Sequence, residues 1–383
     1  MKNYKLRNKR VLIISVAAGG GHIVSADNLF KTASEKFHNI EIECIDFFQY
    51  IFPLLKVLYG SFYLILIKYF PCFYGLIYNS TDKEKYSQPA KLFNSLRLEI
   101  QYFFSSKLRR KILEFKPDYI VFTHPIPAEF FNKFNCADNF KSKYAVVITD
   151  FYAHWLWYQK NIDFFFVAND ELKETLINRG FDKSKIFLTG IPVDDSFNHV
   201  YDNVKILRSL GFSPEISTLL LMSGAHGVGR LDNIIGYLFD EISIKFQIIV
   251  LTGNSKVLYN KVKKIELVHP DRIKVFRYTN EVYKYMASSD VIITKAGGLT
   301  ISECLCYSLP VITLNPIPGQ EWKNIEYLVK HNAGLKVFDL ESLKECVTNL
   351  LTNRHVLKRM QNNAGMLAKP DASNQILKVI DED

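Results

Sequence analysis

Short runs of apolar, largely β-branched or aromatic residues punctuate the whole chain, and they are continuous rather than alternating. In the first half they read VLIISV from Val11, IEIECID from Ile40, YIVFTH from Tyr119, YAVVITD from Tyr144, DFFFVAN from Asp163 and IFLTG from Ile186. In the second half they read TLLLMSG from Thr218, FQIIVLTG from Phe246, RIKVFRY from Arg272, DVIITKAGG from Asp290, PVITL from Pro310 and GLKVF from Gly334. A strand that is apolar at every position is covered on both faces, which is the mark of a parallel sheet. Between the runs the spacing turns helical; after the first of them Ile23, Ala26, Leu29, Phe30, Ala33 and Phe37 recur as on one helix.

Each half opens with a strand that runs into a glycine cluster, VLIISVAAGGGH and TLLLMSGAHGVG. The pattern predicts an α/β protein of two doubly wound, Rossmann-like domains in tandem, joined in the polar stretch Asp194–Lys205. The expected bounds are 1–198 and 199–365, with a C-terminal helix in 366–383 free to pack back on the first domain. Ligands of such sheets lie beyond the carboxyl ends of the strands, so the active site is expected in a cleft where the two domains face each other.

The first run also has the order of a secretion signal, since Lys2, Lys5, Arg7, Lys9 and Arg10 precede it and Ala17-Ala18-Gly19 follows. The amphipathic helix after the glycines favours a retained strand, turn and helix. At 383 residues with 48% apolar content, the chain is long enough for two ordinary cores. The six cysteines (44, 72, 136, 304, 306 and 346) lack CxxC spacing, so neither a zinc site nor a disulfide framework is indicated, and a reducing cytoplasm fits.

A formal net charge of +9 favours an acidic partner. No nucleic-acid signature accompanies it, which leaves an anionic membrane surface or a nucleotide substrate. Of the 29 phenylalanines and 21 tyrosines, many crowd into residues 46–78, DFFQYIFPLLKVLYGSFYLILIKYFPCFYGLIY. The longest apolar window there, residues 51–67, is broken by Pro53, Lys56, Gly60 and Ser61 and is too short to span a bilayer. Two readings stand: a segment lying in a membrane interface, where aromatics and Lys56 and Lys68 belong, or a pair of buried helices. Lys107, Arg109, Arg110 and Lys111 follow Leu98, Ile100, Tyr102, Phe103 and Phe104, which as one helix is basic and amphipathic, or else a solvated helix end.

The densest chemistry lies in residues 293–334, ITKAGGLTISECLCYSLPVITLNPIPGQEWKNIEYLVKHNAG. Ala296-Gly297-Gly298-Leu299-Thr300 closes a strand and opens a helix, whose free N–H groups and positive dipole end suit a diphosphate without metal. A left-handed glycine turn with no ligand is the plainer alternative. Glu303, one turn beyond Thr300, can accept from both hydroxyls of a ribose, or simply be a glutamate near a helix start. Gln320, Glu321 and Asn324 after the rigid Pro316–Gly319 loop share a helical face suited to sugar hydroxyls.

On these residues the chain resembles the GT-B glycosyltransferases of the MurG and monogalactosyldiacylglycerol synthase group, with PGQEWKN similar to the diacylglycerol hexosyltransferase branch. GGGH at 19–22, THP at 123–125, TDFYAHWLW at 149–157 and GIPV at 190–193 extend the resemblance along most of the chain. It implies an inverting hexosyltransferase that uses UDP-glucose or UDP-galactose, needs no cofactor or metal, and acts on diacylglycerol. Glu303 would hold the ribose, and Gln320, Glu321 and Asn324 the sugar. Gly297, Gly298 and Thr300 would flank the diphosphate under a second glycine loop of Gly224, Gly227 and Gly229, with the backbone near Tyr278 and Thr279 facing uracil. In that loop Ala225 and His226 stand where the family often has a glycine and an acid.

His22 is the expected base for the acceptor hydroxyl, because an imidazole suits proton removal near neutrality; a turn-capping role is the alternative. Asp150 would orient His22 or bind the acceptor, and His154 is a further candidate. Gly20, Gly21, His124, His154 and Trp155 are expected around the acceptor, Trp155 and Trp157 being pocket or core. The resemblance also turns residues 46–80 into a peripheral membrane attachment, on the cytoplasmic face, with the basic run assisting. Transfer of N-acetylglucosamine to a polyprenyl-diphosphate lipid, or binding without catalysis on the same fold, are the rival readings.

Overall fold

The computed structural model describes residues 8–17, 20–51, 69–82, 88–134, 142–223 and 231–383. The chain forms two compact units. Unit 1 comprises residues 1–195, 318–320 and 369–383, and unit 2 comprises residues 196–317 and 321–368, so the boundary falls within the polar stretch 194–205.

Unit 1 is built on six parallel strands: β1 (Lys9–Ser15), β2 (Ile40–Asp46), β3 (Tyr119–Phe122), β4 (Lys143–Val147), β5 (Phe164–Val167) and β6 (Ile186–Leu188). Their order is β2-β1-β3-β4-β5-β6. Val11, Leu12, Ile13 and Ile14 are fully buried, because β1 pairs with β2 on one side and β3 on the other while helices cover both faces. One face packs Leu12, Ile14, Ile120, Phe122, Val146 and Phe165 against helices that include Ser106–Phe115 and Pro125–Phe134. The other packs Val11, Ile13, Val121 and Val147 against Ala26, Leu29 and Ala33 of helix Gly20–Lys36 and against Ile376, Leu377 and Ile380 of helix Ala372–Glu382. Phe30 differs from the expected pattern: the buried stripe runs through 26, 29 and 33, and Phe30 points to solvent.

Unit 2 carries β7 (Thr218–Met222), β8 (Gln247–Leu251), β9 (Ile273–Phe276), β10 (Val291–Ile293), β11 (Val311–Leu314) and β12 (Gly334–Val337), ordered β12-β11-β10-β7-β8-β9. Counted from β7, this is the 3-2-1-4-5-6 order of dinucleotide-binding sheets. The strand order reverses between β1 and β3 in unit 1 and between β7 and β10 in unit 2. Chain leaving adjacent strands at such a point diverges and opens a crevice, which is where doubly wound sheets bind ligands.

The aromatic stretch is described over residues 46–51 and 69–80; residues 52–68 lie outside the described residues. Phe47, Phe48 and Ile51 are buried. Helix Pro71–Thr81 leaves Phe73, Leu76 and Ile77 exposed, with Tyr69 and Phe70 exposed just before it. The basic run does not form one helix with its apolar neighbours. Helix Gln88–Phe103 ends where the backbone N–H and hydroxyl of Ser105 both turn back to the Tyr102 carbonyl, and Ser106–Phe115 starts anew. Lys111 pairs with Glu43, Lys107 lies over the Tyr50 ring and Arg109 over Tyr102, leaving Arg110 exposed. Leu92, Leu96, Ile100 and Phe103 form an exposed apolar stripe on the preceding helix. Among the described residues no helix is long and apolar enough to cross a membrane.

Candidate active site

In unit 1, chain leaving β1, β3 and β4 brings His22, Thr123 and Thr149 together. Helix Gly20–Lys36 starts soon after β1, which places Gly20 and Gly21 at its beginning and His22 on its first turn. Gly20 has open space where a Cβ would stand. The Nδ1 atom of His22 lies 2.9 Å from the Thr123 carbonyl and 2.6 Å from the Thr149 hydroxyl. A carbonyl only accepts, so Nδ1 carries the ring proton and Nε2 carries the lone pair. Burial pushes the His22 imidazole down to about 4, against the opposing bond to Thr123. It is therefore neutral throughout the neutral range, with a lone pair on Nε2.

His124 meets His22 edge to face with ring centroids 4.6 Å apart. Its Nδ1 accepts the Ile126 N–H at 3.2 Å, which caps the start of helix Pro125–Phe134. Burial, then the neighbouring His22 and Arg97, hold it well below the usual histidine range. His154 is also occupied structurally: Nδ1 accepts from Leu156 N–H, and Nε2 lies 3.3 Å from the Tyr78 carbonyl and 3.1 Å from the Thr81 hydroxyl. It thus fastens the loop after β4 to helix Pro71–Thr81. Asp82, at the end of that helix, accepts from the Trp155 N–H at 2.7 Å and the Tyr152 hydroxyl at 2.9 Å. Trp155 is partly buried beneath the Arg179 guanidinium, whereas Trp157 is a core residue.

Asp150 follows Thr149 and receives the Gln320 amide. The groups at His22 Nδ1 come instead from Thr123 and Thr149. Sequence reasoning overlooked both threonines and Asp82; the one available signal for Thr149 was its place beside Asp150 at a strand end. Unit 1 also contains the Pro318–Gly319 turn. Gly319 has a φ of 103°, and a Cβ there would come 2.9 Å from the Tyr78 ring. A Cβ on Gly75 would meet Pro318 at 2.5 Å. Helix Pro71–Thr81 therefore lies directly against the turn that presents Gln320.

In unit 2, β10 runs into Thr294–Gly297 and helix Gly298–Cys306. Gly297 caps this helix with φ −71° and no side-chain cap bond, so the turn is not left-handed. The nearest atom to a Cβ at Gly297 would be the Thr300 hydroxyl at 4.0 Å. Neither backbone angle nor packing demands a glycine at 297; its small size leaves the uncapped N–H groups approachable, as an anion site requires. Glu303 is half-buried on the same helix. Tyr278 is exposed, and the Thr279 hydroxyl accepts from Glu281 N–H at 3.0 Å.

Gln320, Glu321 and Asn324 each have a different protein partner. Gln320 is on Asp150, while Glu321 accepts from Ile317 N–H at 3.4 Å. Burial raises the Glu321 carboxyl, with the Lys295 charge opposing it. Asn324 is 0% exposed and donates to the Ala296 carbonyl at 3.1 Å. This bond ties helix Gln320–Lys330 to the turn before Gly297. Gly224, Gly227 and Gly229, with Ala225 and His226, lie outside the described residues. Among the described residues no three His, Cys, Asp or Glu side chains are grouped to hold a metal ion.

Residues 22–193 match the monogalactosyldiacylglycerol (MGDG) synthase family, and residues 218–376 match the glycosyltransferase family 28 C-terminal domain. A processive diacylglycerol beta-glucosyltransferase of Bacillus pumilus is 30% identical over 384 residues, covering 98% of this chain and 95% of that protein. The protein of that name from Staphylococcus haemolyticus is 31% identical over 362 residues, covering 93% and 88%. Among solved structures, Acinetobacter baumannii MurG shares the fold with a TM-score of 0.65 at 15% identity, over 98% of this chain and 100% of its own. The chain belongs to the monogalactosyldiacylglycerol synthase and family 28 group of GT-B glycosyltransferases, alongside the diacylglycerol glucosyltransferases.

Proposed function

We propose that this protein transfers glucose from UDP-glucose to the free hydroxyl of diacylglycerol at a membrane surface, inverting the anomeric carbon. The observation that carries this reading is His22, whose Nδ1–H rests on a backbone carbonyl and whose Nε2 holds a lone pair at the crevice of unit 1. The acceptor oxygen attacks the anomeric carbon, its proton goes to Nε2, and the bond from that carbon to the diphosphate oxygen breaks with its electron pair leaving on UDP. The uncapped start of helix Gly298–Cys306 then serves the charge that develops on the departing diphosphate.

Glu303 takes the ribose hydroxyls, the backbone near Tyr278 and Thr279 meets the uracil, and Gln320 and Glu321 serve the hexose. The glycine loop 224–229 belongs to the same donor reading. The names of the 30–31% identical relatives support glucose and diacylglycerol. The exposed apolar stripes at 69–77 and 92–103, with exposed Arg110 on the helix that follows, support seating against an anionic bilayer, since such residues favour the headgroup region.

The deciding assay offers UDP-glucose, UDP-galactose and UDP-N-acetylglucosamine, each radiolabelled, to purified protein with diacylglycerol in anionic vesicles. Label entering glycolipid fastest from UDP-glucose is the expected result. Faster transfer from UDP-galactose overturns the sugar assignment, and no transfer from any donor overturns the acceptor. His22→Ala should lose turnover by at least about a hundredfold while keeping UDP affinity.

A further inference from the structure

The side of His22 that faces away from the proposed proton transfer is held by more than one oxygen. Nδ1 donates toward the Thr123 carbonyl at 2.9 Å, and the Thr149 hydroxyl stands 2.6 Å from the same nitrogen. Since Nδ1 already bears the proton, that hydroxyl presents a lone pair to it and directs its own hydrogen elsewhere. Two neutral oxygens thus occupy the place that a carboxylate holds when a base is oriented by an acid. They come from chain leaving neighbouring strands, Thr123 after β3 and Thr149 after β4. Thr149 is 3% exposed, and its branched β-carbon restricts rotation of the hydroxyl about χ1.

We propose that Thr149 is a positioning residue for the base: its hydroxyl fixes the tautomer and rotation of the His22 ring and shares the positive charge formed when Nε2 is protonated. This rests on the reading of His22 as the base. In the step itself the acceptor proton moves to Nε2, the Nδ1 proton stays where it is, and Thr149 exchanges nothing. The other groups around the ring are consistent with this division. His124 is edge-on with its Nδ1 lone pair used by Ile126 N–H, Trp157 lies 6.5 Å away, and Asp150, the next residue after Thr149, takes the Gln320 amide.

The test compares Thr149→Val, which keeps the shape and removes the oxygen, with Thr149→Ser, which keeps the oxygen. In the valine variant kcat should fall by roughly ten- to a hundredfold, with KM for the UDP-sugar unchanged. The acidic limb of its pH profile should move to lower pH, because the imidazolium has lost a partner and a weaker base needs more acid to protonate. Serine should restore kcat and the limb. In 15N spectra of histidine-labelled full-length protein, the wild type should show Nδ1 protonated and Nε2 unprotonated, and the valine variant a mixture.

A valine variant with wild-type kcat and pH limb, at unchanged melting temperature and UDP affinity, overturns the proposal while leaving the base assignment standing. So does a wild-type ring protonated at Nε2. Wild-type turnover in His22→Ala overturns the base assignment first, and the two failures are thereby distinguished. Should the valine variant not fold, the wild-type ring spectrum and the serine variant still decide.

Discussion

At the scale of residues, burial keeps three histidines neutral. His22 is driven down to about 4 from an ordinary value of 6.5, and His124 and His154 are lowered mainly by the same desolvation. The unfolded chain binds a proton at each of these positions below about pH 6.5, whereas folded His22 does not until the pH falls toward 4, and burial shifts His124 and His154 in the same direction. Stability is therefore fully present above that window and declines as the pH drops through it. Urea midpoints measured at pH 7.5 and at pH 5 should differ, the lower midpoint belonging to pH 5. Asn324→Leu should cost about 1–3 kcal/mol in the same assay, since it orphans the Ala296 carbonyl. Weakened donor affinity should accompany that loss. His22 stood out as a candidate because a histidine beside a glycine turn after a strand is a distinctive chemical choice. Thr149 did not, because its contact to His22 joins remote segments, and the burial of Asn324 was not visible because a buried asparagine and a surface one are the same letter.

At the scale of elements, continuous apolar runs identified the strands well, since a strand covered on both faces must be apolar at each position. The helices were read less securely. Ser105 divides the basic segment through bonds to one carbonyl, a local choice that periodicity does not encode. Helix Pro71–Thr81 illustrates a division of labour between faces. Gly75 and Tyr78 lie against the Pro318–Gly319 turn, while Phe73 at 54% and Leu76 at 68% exposure face outward. Changing Phe73 and Leu76 together to serine should lower vesicle affinity by at least roughly tenfold and leave the melting temperature near wild type. Flotation with anionic vesicles reads the first, and calorimetry the second. Gly319→Ala attacks the inward face instead: a left-handed backbone angle and the Tyr78 ring at 2.9 Å should together cost at least about 1–2 kcal/mol and impair transfer.

At the scale of the molecule, the repeated strand-to-glycine openings pointed to two doubly wound sheets, but not to their strand orders or to the place of residues 318–320 in unit 1. Unit 1 includes residues 369–383, and Ile376, Leu377 and Ile380 are fully buried against its sheet. Tyr119 and Lys143, from β3 and β4, both bind the Asp383 carboxylate. Ile380→Ala should destabilise unit 1 by about 2–5 kcal/mol. Two-step chemical unfolding, followed by a probe in each unit, should show the change in the transition of unit 1 alone. The same arrangement dictates an order of events during synthesis. The segment that emerges first is completed last: residues 196–317 and 321–368 can close their own core while the opening sheet still waits for its final helix. Until that helix arrives, Val11, Ile13 and Val121 lack part of their cover. A nascent chain stalled before residue 369 should therefore be held by chaperones through its first half, although every residue of the loop that carries His22 has already been made.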